Sequence, residues 1–594
     1  MLLERDNLKF INERKALFLA LSCAVGIYLG GVFTRGGSVL WLALPLFILG
    51  FCFRRKTVLL AALILVLSLG FTVGHLDMRS FSSVEGTHEV SGVVVNTTSS
   101  YVVLDQVTID GERERGKVRL YADAELGDRV TCTAHLQPPS ENRFLGEYGN
   151  GVRFVGSAFD IQTQSEFHLF LSLRLALKDA LFLHMDEGEA SLGYALLTGD
   201  TSAIESDVLE NVRYGGIAHL FAVSGLHIGI LYGVLIFATA KARRARPFII
   251  PPLLFFYAGI CSFSPSSVRA ALMCSFSCLN RYFGRKSDAL ELLGLACLSM
   301  LIFVPSQIYR VGFRLSVLAC AGISLLSPYF TFECLPERVA KILSSTLAAQ
   351  LAVFPVLMDT FGYVSAASLI LNFLFVPLMT PLMVFLLLGL LLSPVSAFFL
   401  LPAQGLLRGF LFLMNVSDFS VFLIEGFTFG LFALPYYFGL VVGAGTFNLT
   451  KPLRIFLASV LLVSSAFGVM LTSDAVYDCK IVTSEGGTLV CTREVSLLIL
   501  TEESVETQTL LRKNRGVKSV DVLFLDGERE LSFAVNCVYT DRYDGAFTVS
   551  VCEPYLLVRY KEVSVLVGAE ESDAFLPLSE GKLVLLGDRI YYRE

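Results

Sequence analysis

Charged residues are scarce in this chain of 594 residues, at 17% of the sequence, against about 25% in an average soluble domain. Hydrophobic residues make up 54% and occur in long uncharged blocks, such as 382–401 and 455–471. Each of these blocks has roughly the number of residues that a helix needs to cross a hydrocarbon core. The scarcity of charge therefore excludes an ordinary water-soluble protein and predicts a polytopic α-helical membrane protein.

Three further absences narrow the chemistry. The net charge of −6 gives no overall positive field, so contact with a nucleic acid would need a local basic patch. No Gly-x-x-x-x-Gly-Lys-[Ser/Thr] sequence occurs, so we expect no P-loop and no ATP hydrolysis in this chain. The seven histidines end at His227, so the polar tail after residue 471 has no histidine to offer a metal ion.

Clusters of basic residues separate the apolar blocks and predict the orientation of these blocks in the membrane. The positive-inside rule places such clusters in the cytoplasm. The clusters are Arg5, Lys9, Arg14 and Lys15, then Arg54, Arg55 and Lys56, then Lys241, Arg243, Arg244 and Arg246, then Arg281, Arg285 and Lys286, and finally Lys451 and Arg454. The N-terminus is then cytoplasmic, and the polar regions 76–165 and 472–594 lie outside the cytoplasm. The first block, 16–33, lacks a small-residue cleavage site, so we expect no cleaved signal peptide.

The predicted organisation has four parts. Residues 1–75 form N-terminal transmembrane helices, 76–165 an extracytoplasmic β domain, 166–471 a second transmembrane domain, and 472–594 a small extracytoplasmic domain that is α/β or β-rich. Turn residues in the β domain separate four runs rich in Val and Thr, at 88–96, 101–109, 116–121 and 129–136. This pattern predicts an OB-like β-barrel, with another small barrel or a sandwich as the alternative.

An amphipathic helix is predicted over residues 167–185. Its apolar residues recur three or four positions apart, while Arg174, Lys178 and Asp179 fall elsewhere. The helix either lies flat on the membrane surface or packs on the β domain.

The segment 193–235 concentrates polar residues at the mouth of a membrane block. Ser202 and Glu205 form a capping-box pattern that predicts a helix over 203–214, ended by Gly215-Gly216. A sequence with two histidines and a serine follows, from His219 to His227, and leads directly into apolar residues. Polar groups at such depth normally face a cavity or each other.

The segment LLTGDTSAIESDVLENVRYGGIAHLFAVSGLHIG, residues 196–229, resembles the signature of ComEC-type competence proteins. Further resemblances follow in the same order: Phe-Ser-Pro-Ser-Ser-Val-Arg-Ala at 263–270, and Val-Gly-Phe-Arg-Leu-Ser at 311–316, where Arg314 stands in place of the family's usual Gln. Gln350, Pro355, Asn372 and Pro377 fit the later part of the pattern.

The resemblance implies a non-catalytic channel in the bacterial plasma (inner) membrane that passes single-stranded DNA to the cytoplasm during natural transformation. It also implies a competence DNA receptor, an uptake pilus and a cytosolic ATP-driven translocase as partners, beside membrane lipid. We expect no cofactor and no metal. The channel and motif residues are Gly199, Asp200, His219, Ser224, Gly225, His227, Ser264, Pro265, Ser266, Arg269, Arg314, Gln350 and Asn372.

The same segment could serve two other activities, metal binding and serine hydrolysis. A helix would separate His219 and His227 by about 12 Å of rise, too far for one zinc ion with bonds of about 2 Å. Ser224 and His227 would share a helix face, and Asp200 would complete a Ser-His-Asp set, so an intramembrane serine hydrolase is an alternative. The residues around Ser224 do not form a Gly-x-Ser-x-Gly elbow.

A polytopic transporter of small solutes or lipids is a further alternative. The Ser-Pro-Ser sequence at 264–266 and the prolines Pro305, Pro377 and Pro381 predict broken or re-entrant helices. Irregular backbone at membrane depth is tolerated where it lines a cavity, and small-solute transporters use such breaks as well.

Basic residues of the β domain are tentative DNA contacts, namely Arg113, Arg115, Lys117 and Arg119. Acidic residues interleave with them, so a mixed solvated surface is the alternative.

The tail resembles a shortened, degenerate form of the metallo-β-lactamase-like region of the family. Residues 517–524 resemble the strand before the metal motif, but Asp-Gly-Glu-Arg at 526–529 stands where the ligands belong. We therefore expect no nuclease activity, with an acidic Mg²⁺ site left open. Outside the cytoplasm, Cys479, Cys491, Cys537 and Cys552 would form two disulfides; four reduced cysteines are the alternative.

Overall fold

The structure, a computed structural model, describes side chains mainly between residues 14 and 471. The described ranges are 14–34, 58–79, 86–97, 101–139 without 115 and 123, 144–165, 168–416 without 331, 394 and 395, 422–425, 429–443 and 451–471, and beyond them the backbone of the tail strands. The chain forms two compact units. One holds Met1–Val353, Ser365–Phe422 and Thr446–Asn448, and the other holds Phe354–Val364, Leu423–Gly445 and Leu449–Glu594.

The first unit begins with two helices packed at very close range, α1 (Lys15–Thr34) and α2 (Val58–Arg79). A Cβ atom on Gly74 would lie 2.4 Å from the carbonyl oxygen of Ile27. A Cβ on Gly26 would meet the Leu67 carbonyl oxygen at 2.2 Å. Glycine at these positions therefore lets the two backbones touch, as small residues do where membrane helices pack.

The β domain consists of β1 (Gly86–Thr97), β2 (Val102–Ile109), β3 (Glu112–Arg113), β4 (Lys117–Tyr121), β5 (Asp128–Gln137) and β6 (Val152–Ser165). The four predicted runs are confirmed as β1, β2, β4 and β5. β1 pairs with β2 and β5, β2 with β4, β4 in parallel with β6, and β6 with β5. Alternate residues of β5 face the core, which is built mainly of Val and Leu.

A short helix, α3 (Phe144–Asn150), joins the β domain to the helices. The Tyr148 hydroxyl donates to the Asp77 carboxylate at the end of α2, and its ring meets the Tyr309 ring edge-on at 5.4 Å. Gly149 lies against backbone, because a Cβ there would be 2.9 Å from the amide nitrogen of Arg310. The β domain is thus held against the residues that precede a later helix.

The remaining helices of the first unit are α4 (Leu169–His184), α5 (Glu187–Thr198), α6 (Ser206–Tyr214), α7 (Gly225–Ala238), α8 (Arg246–Ile260), α9 (Pro265–Tyr282), α10 (Ala289–Phe303), α11 (Val311–Leu326), α12 (Glu337–Phe361, which continues into the second unit), α13 (Ser368–Leu392) and α14 (Leu401–Val416). Among the described residues, four segments are long and apolar enough to cross a membrane: Ala218–Ala238, Val311–Tyr329, Glu337–Phe361 and Ser368–Leu392. Their length and composition support a polytopic membrane protein.

The predicted breaks at proline are wrong for α13. Pro377 and Pro381 lie inside this continuous helix, whereas Pro265 is the first residue of α9 and Pro305 begins a 3-10 turn. A proline removes one backbone donor, and neighbouring helices can satisfy the freed carbonyl, so a long apolar helix survives it.

The predicted start of α6 is also wrong. The helix begins at Ser206, with Glu205 as its cap, instead of at residue 203. The carboxylate of Asp200 accepts a hydrogen bond from the Ser202 amide at 3.0 Å, which forms a turn in place of the capping box. The predicted stop is confirmed, since α6 ends before Gly215 and Gly216 has a φ of +69°.

The amphipathic helix α4 approaches the β domain, as one of its two predictions stated, and it also packs against residues of the helical region. The Phe170 ring contacts the rings of Phe256 and Phe263, and Leu171 approaches Gly127 of the β domain. Arg174, expected away from the apolar face, is buried.

The second unit contains β8 (Leu423–Glu425), α15 (Ala433–Gly443), α16 (Lys451–Leu471) and the first two residues of β7 (Tyr363–Ser365). The Asp359 carboxylate accepts a hydrogen bond of 2.6 Å from the Phe429 amide. Phe429 and Met358 belong to the same small hydrophobic core.

The tail forms two sheets. The strands are β9 (Cys479–Ser484), β10 (Gly487–Thr492), β11 (Ser496–Leu500), β12 (Ser519–Leu525), β13 (Ala534–Tyr539), β14 (Arg542–Asp544), β15 (Thr548–Cys552), β16 (Tyr555–Tyr560), β17 (Val563–Val567), β18 (Asp573–Phe575), β19 (Lys582–Leu586) and β20 (Arg589–Arg593). One sheet has the order β13-β12-β11-β10-β9-β20-β19, and the other runs from β14 to β18. The strand predicted at 517–524 is confirmed as β12. The four tail cysteine side chains and the Asp-Gly-Glu-Arg sequence lie outside the described residues.

Burial makes Cys132 a poor nucleophile. Its side chain is in the β-domain core, and burial raises the pKa of its thiol to about 11. Since only the thiolate reacts, Cys132 of the folded protein should resist maleimide at pH 8, while the exposed Cys334 should react. Peptide mapping by mass spectrometry checks this, with urea-unfolded protein as the control in which both cysteines react. Equal labelling of both in the folded protein would contradict the buried position of Cys132.

Candidate functional site

The start of α7 is fixed by a capping box between Ser224 and His227. The Ser224 hydroxyl accepts a hydrogen bond from the Leu226 amide at 3.2 Å, and the Ser224 amide donates to Nδ1 of His227 at 3.2 Å. His227 thus takes the place that Glu or Gln usually has in this motif. Because Nδ1 accepts from an amide, the neutral ring carries its proton on Nε2. His227 is fully buried, and its Nε2 has no hydrogen-bond partner among the described residues.

The start of α9 is anchored to the same turn. Ser264 is its cap, and Pro265 occupies the first helical position, where a missing amide hydrogen costs nothing. The Ser266 hydroxyl donates to the Val223 carbonyl, one residue before Ser224. The two helices therefore begin side by side, and the residues of both sequence motifs meet at one place.

Arg269, one turn into α9, points at this junction. A Cβ atom on Gly225 would lie 3.3 Å from its Nη2 atom, and only 6% of the arginine is exposed. Its one hydrogen bond within the described residues runs from Nη1 to the sulfur of Met273, at 3.6 Å, and Nε has no partner there. A thioether is a weak acceptor, so this buried cation is left electrostatically unsatisfied.

Asp200 belongs to a different ion pair. Its carboxylate lies 2.7 Å from a guanidinium nitrogen of Arg174 and accepts from the Tyr194 hydroxyl at 3.3 Å. Arg174 also donates to the Ser262 hydroxyl at 2.7 Å. The serine and histidine of the alternative hydrolase do touch, since Ser224 Oγ is 3.2 Å from Nδ1 of His227. Their geometry serves the capping box, and the carboxylate that would orient the ring holds Arg174 instead.

Gly199 and Gly216 allow the polar segment to lie close to its neighbours. Gly199 ends α5 with a φ of +82°, and a Cβ there would be 3.2 Å from the Val223 side chain. Gly216 also has a positive φ, and its Cβ would be 2.6 Å from Cβ of Ser368 at the start of α13. The start of α13 thus lies beside the segment that leads to α7.

A second polar group surrounds the start of α13. The Gln350 amide donates to the Ser368 hydroxyl, which in turn donates to the Ser365 carbonyl at 2.6 Å. Asn372 follows Ser368 by one turn. It is 6% exposed, and its Oδ1 has no partner in the described part of the chain. The structure therefore connects Gln350 with Ser368, a residue that the sequence analysis missed.

Two further predicted channel residues, His219 and Arg314, are exposed. His219 is in the 3-10 turn Ala218–Leu220, where its ring forms a hydrogen bond with the Gly216 backbone, and it is more exposed than His227. Arg314 is exposed in the first turn of α11. The described residues hold no group of three or more His, Cys, Asp or Glu side chains arranged for a metal ion.

Two of the four tentative DNA contacts of the β domain, Arg119 and Lys117, are engaged with protein. Arg119 forms a two-pronged ion pair with Glu147, at 2.8 and 3.0 Å, and covers the Tyr101 ring. Lys117 lies 4.0 Å from Asp105. Burial lowers the pKa of Lys117, and Arg310 adds to that effect while Asp105 opposes it. Arg113 is exposed, and Arg115 lies outside the described residues.

The residues that sequence reasoning missed are Arg174, Ser365 and Ser368. An arginine within the apolar run LFLSLRLALKD was a usable signal for Arg174. No local sequence pattern indicated the roles of Ser365 and Ser368.

Removal of the Asp200 charge should destabilise the protein. Asp200→Asn leaves Arg174 buried without a counter-charge, a change that typically costs about 3 kcal/mol or more. The melting temperature of the detergent-purified protein should fall clearly. Glu337→Gln breaks an exposed pair with Lys341 and is the control, because exposed pairs contribute little. An unchanged melting temperature for Asp200→Asn would contradict the structural role of this pair.

Gly216 should not tolerate a side chain. Gly216→Ala forces a left-handed backbone on an L-residue, worth about 1–2 kcal/mol, and adds the clash with Ser368. Gly233→Ala is the matched control, since a Cβ there meets nothing within 4 Å and alanine favours a helix. Only Gly216→Ala should lower the melting temperature, and similar losses in both variants would contradict the close approach.

Comparison with known proteins connects this region to one family. Residues 196–451 match the family model described as Competence protein. Among curated proteins, ComE operon protein 3 of Bacillus subtilis (strain 168) is 29% identical over 284 residues, which cover 46% of this chain and 36% of that protein. The matched part thus spans little more than a third of the Bacillus relative.

Two further relatives match over parts of the chain. One is titled Uncharacterized protein, from Aquifex aeolicus (strain VF5), and is 27% identical over 340 residues, 52% of this chain and 78% of the relative. The other is titled Uncharacterized protein MG316 homolog, from Mycoplasma pneumoniae (strain ATCC 29342 / M129 / Subtype 1), and is 27% identical over 165 residues, 27% of this chain and 42% of the relative. No solved structure matches the chain. Residues 196–451, which carry the junction of α7 and α9, are therefore similar to the competence protein family.

Proposed function

We propose that this protein is a membrane channel that admits single-stranded DNA to the cytoplasm during natural transformation. The observation that carries the proposal is Arg269, a buried cation at the junction of two family motifs that has no acidic partner among the described residues. An unpaired charge within apolar helices is costly and commonly marks a path for ions or charged substrates. A DNA strand is a line of phosphates that needs such charge along its path.

Contacts between helices support one orientation in the bacterial inner membrane. The starts of α7, α9 and α13 meet, while basic residues follow the end of α7 and close α9, at Arg243 and Arg281. The positive-inside rule then puts these ends in the cytoplasm and the shared starts on the outer side. Arg14, before α1, pairs with Asp288 at 3.0 Å, at the start of α10, so two predicted cytoplasmic segments adjoin.

The same reasoning places the β domain outside the cytoplasm. It contacts Tyr309, which follows the end of α10 opposite Asp288. The pairings β1-β2-β4-β6-β5-β1 return to their starting strand, which supports a closed OB-like barrel. A barrel of this kind at the entrance would meet DNA before the helices do.

We propose that the protein is a conduit without catalytic activity. Asp200 is engaged by Arg174, so the Ser-His-Asp alternative lacks its third member. The driving force would come from a separate ATP-driven translocase, and delivery from a DNA receptor and an uptake pilus. The tail would be a non-catalytic remnant of the metallo-β-lactamase-like region.

Transformation of a deletion strain tests this function. Without the protein, labelled DNA should still reach the cell surface, but no strand should enter the cytoplasm. Complementation with Arg269→Ala should restore less import than the wild type, and Arg281→Ala, at the exposed end of the same helix, should restore it fully. His219→Ala and Ser224→Ala rank the other polar residues.

Three results would contradict the channel. Unchanged transformation in the deletion strain would favour a transporter of another substrate. Labelling of Ser224 by an active-site serine probe, together with loss of function only in Ser224→Ala and His227→Ala, would favour the hydrolase. Loss of pilus assembly in the deletion strain would place the defect upstream of import.

A further inference from the structure

The first turn of α7 has positive charge on two sides. The N-terminus of a helix carries roughly half an elementary charge, because its first amide groups lack intrahelical partners. The Arg269 guanidinium adds a full charge against Gly225. Across the described residues, no carboxylate lies within 4.0 Å of Arg269. Two positive groups in contact repel each other in apolar surroundings, so this arrangement lacks an anion.

The turn can be reached from the surface. Ala222 is exposed, and Ser224, Gly225 and Leu226 are each partly exposed. Arg269 lies behind them and is 6% exposed. A small anionic group that approached the turn would therefore meet the Gly225 amide first and the guanidinium next.

The surrounding contacts hold this geometry in place. Nδ1 of His227 binds the Ser224 amide, and the Ser266 hydroxyl binds the Val223 carbonyl. Both are positioning residues, because they fix the turn and the start of α9 without presenting charge at the surface. The capping box uses the Ser224 and Leu226 amides, so the Gly225 amide and the Arg269 guanidinium are the pre-arranged donors for a ligand.

We propose that the Ser224–Leu226 turn and Arg269 form a binding subsite for one phosphodiester group of a single DNA strand. Helix amides and a planar guanidinium are both suited to the oxygens of a phosphate group. A phosphodiester has one negative charge, which offsets that of Arg269. The assignment to DNA rests on the proposed function, whereas the need for an anion rests on the contacts alone.

Oligonucleotide binding tests the subsite in the full-length protein. The protein is placed in nanodiscs of zwitterionic lipid, and fluorescence anisotropy measures the affinity for a single-stranded oligodeoxynucleotide. Arg269→Gln should weaken binding about tenfold, as expected for one charge-assisted hydrogen bond. Arg281→Gln should have no effect. An oligonucleotide with a neutral methylphosphonate backbone should not distinguish the wild type from Arg269→Gln.

Gly225→Ala keeps every charge and tests the geometry. The new methyl group occupies the space beside Nη2 of Arg269, and the flexible end of the arginine can move aside without unfolding the helix. Binding should weaken while the melting temperature stays unchanged. This variant keeps the test decisive if Arg269→Gln fails to fold.

Each adverse outcome has one meaning. Equal affinity of the wild type, Arg269→Gln and Gly225→Ala would overturn the subsite, and the channel would stand if the wild type still imports DNA. No binding by the wild type and no loss of import on deletion would overturn both. If anionic lipid in the nanodiscs abolishes the difference between the wild type and Arg269→Gln, the subsite holds lipid phosphate, and its assignment to DNA fails.

Discussion

Two buried arginines among apolar helices are satisfied in opposite ways, and this contrast organises the site. Arg174 has a carboxylate at 2.7 Å and a serine hydroxyl at the same distance. Within the described residues, Arg269 donates its hydrogen bond to a methionine sulfur, and the start of a helix lies beside it. Burial of a charge without a partner is energetically unfavourable. The fold compensates the charge of Arg174 with a carboxylate and does not do so for Arg269 within the described residues. Arg174 is therefore a structural arginine, whereas Arg269 is available to a ligand.

Backbone proximity explains why the motif is rich in glycine and serine. Gly199, Gly216 and Gly225 each lie where a side chain would meet Val223, Ser368 or Arg269. The serines beside them cap helices or donate to backbone carbonyls, which satisfies polar groups that lipid could not. The starts of three helices are thereby held together by small residues.

Local patterns predicted much of the fold and less of the site. Alternation of Val and Thr located the strands of the β domain, because that signal depends on neighbouring residues. Hydropathy indicated apolar helices, but the predicted block 382–401 is not one helix, since α13 ends at Leu392. The partner of Asp200 lies 26 residues upstream, on a helix whose arginine was expected away from the apolar face, and no local spacing carries that information. The capping role of His227 was missed because the usual third residue of that motif is Glu or Gln. The prolines of α13 led to a wrong prediction of a helix break. Tertiary packing decides whether a proline breaks a helix, and the sequence pattern does not contain that information.

The distribution of charge also affects whether a DNA strand could move along the protein without being bound too tightly. The chain is acidic overall, with a net charge of −6, and Arg119 and Lys117 of the β domain are set against Glu147 and Asp105. A continuous positive channel would bind a polyanion too tightly to release it, since conduction requires sites that attract and then let go. In the proposed function, Arg269, which has no acidic partner among the described residues, would attract a single phosphate beside one helix start, and the next phosphate along the strand would compete for the same donors. Exchange between successive phosphates at one subsite would then cost little free energy, and the separate motor of the proposal would set the direction of movement.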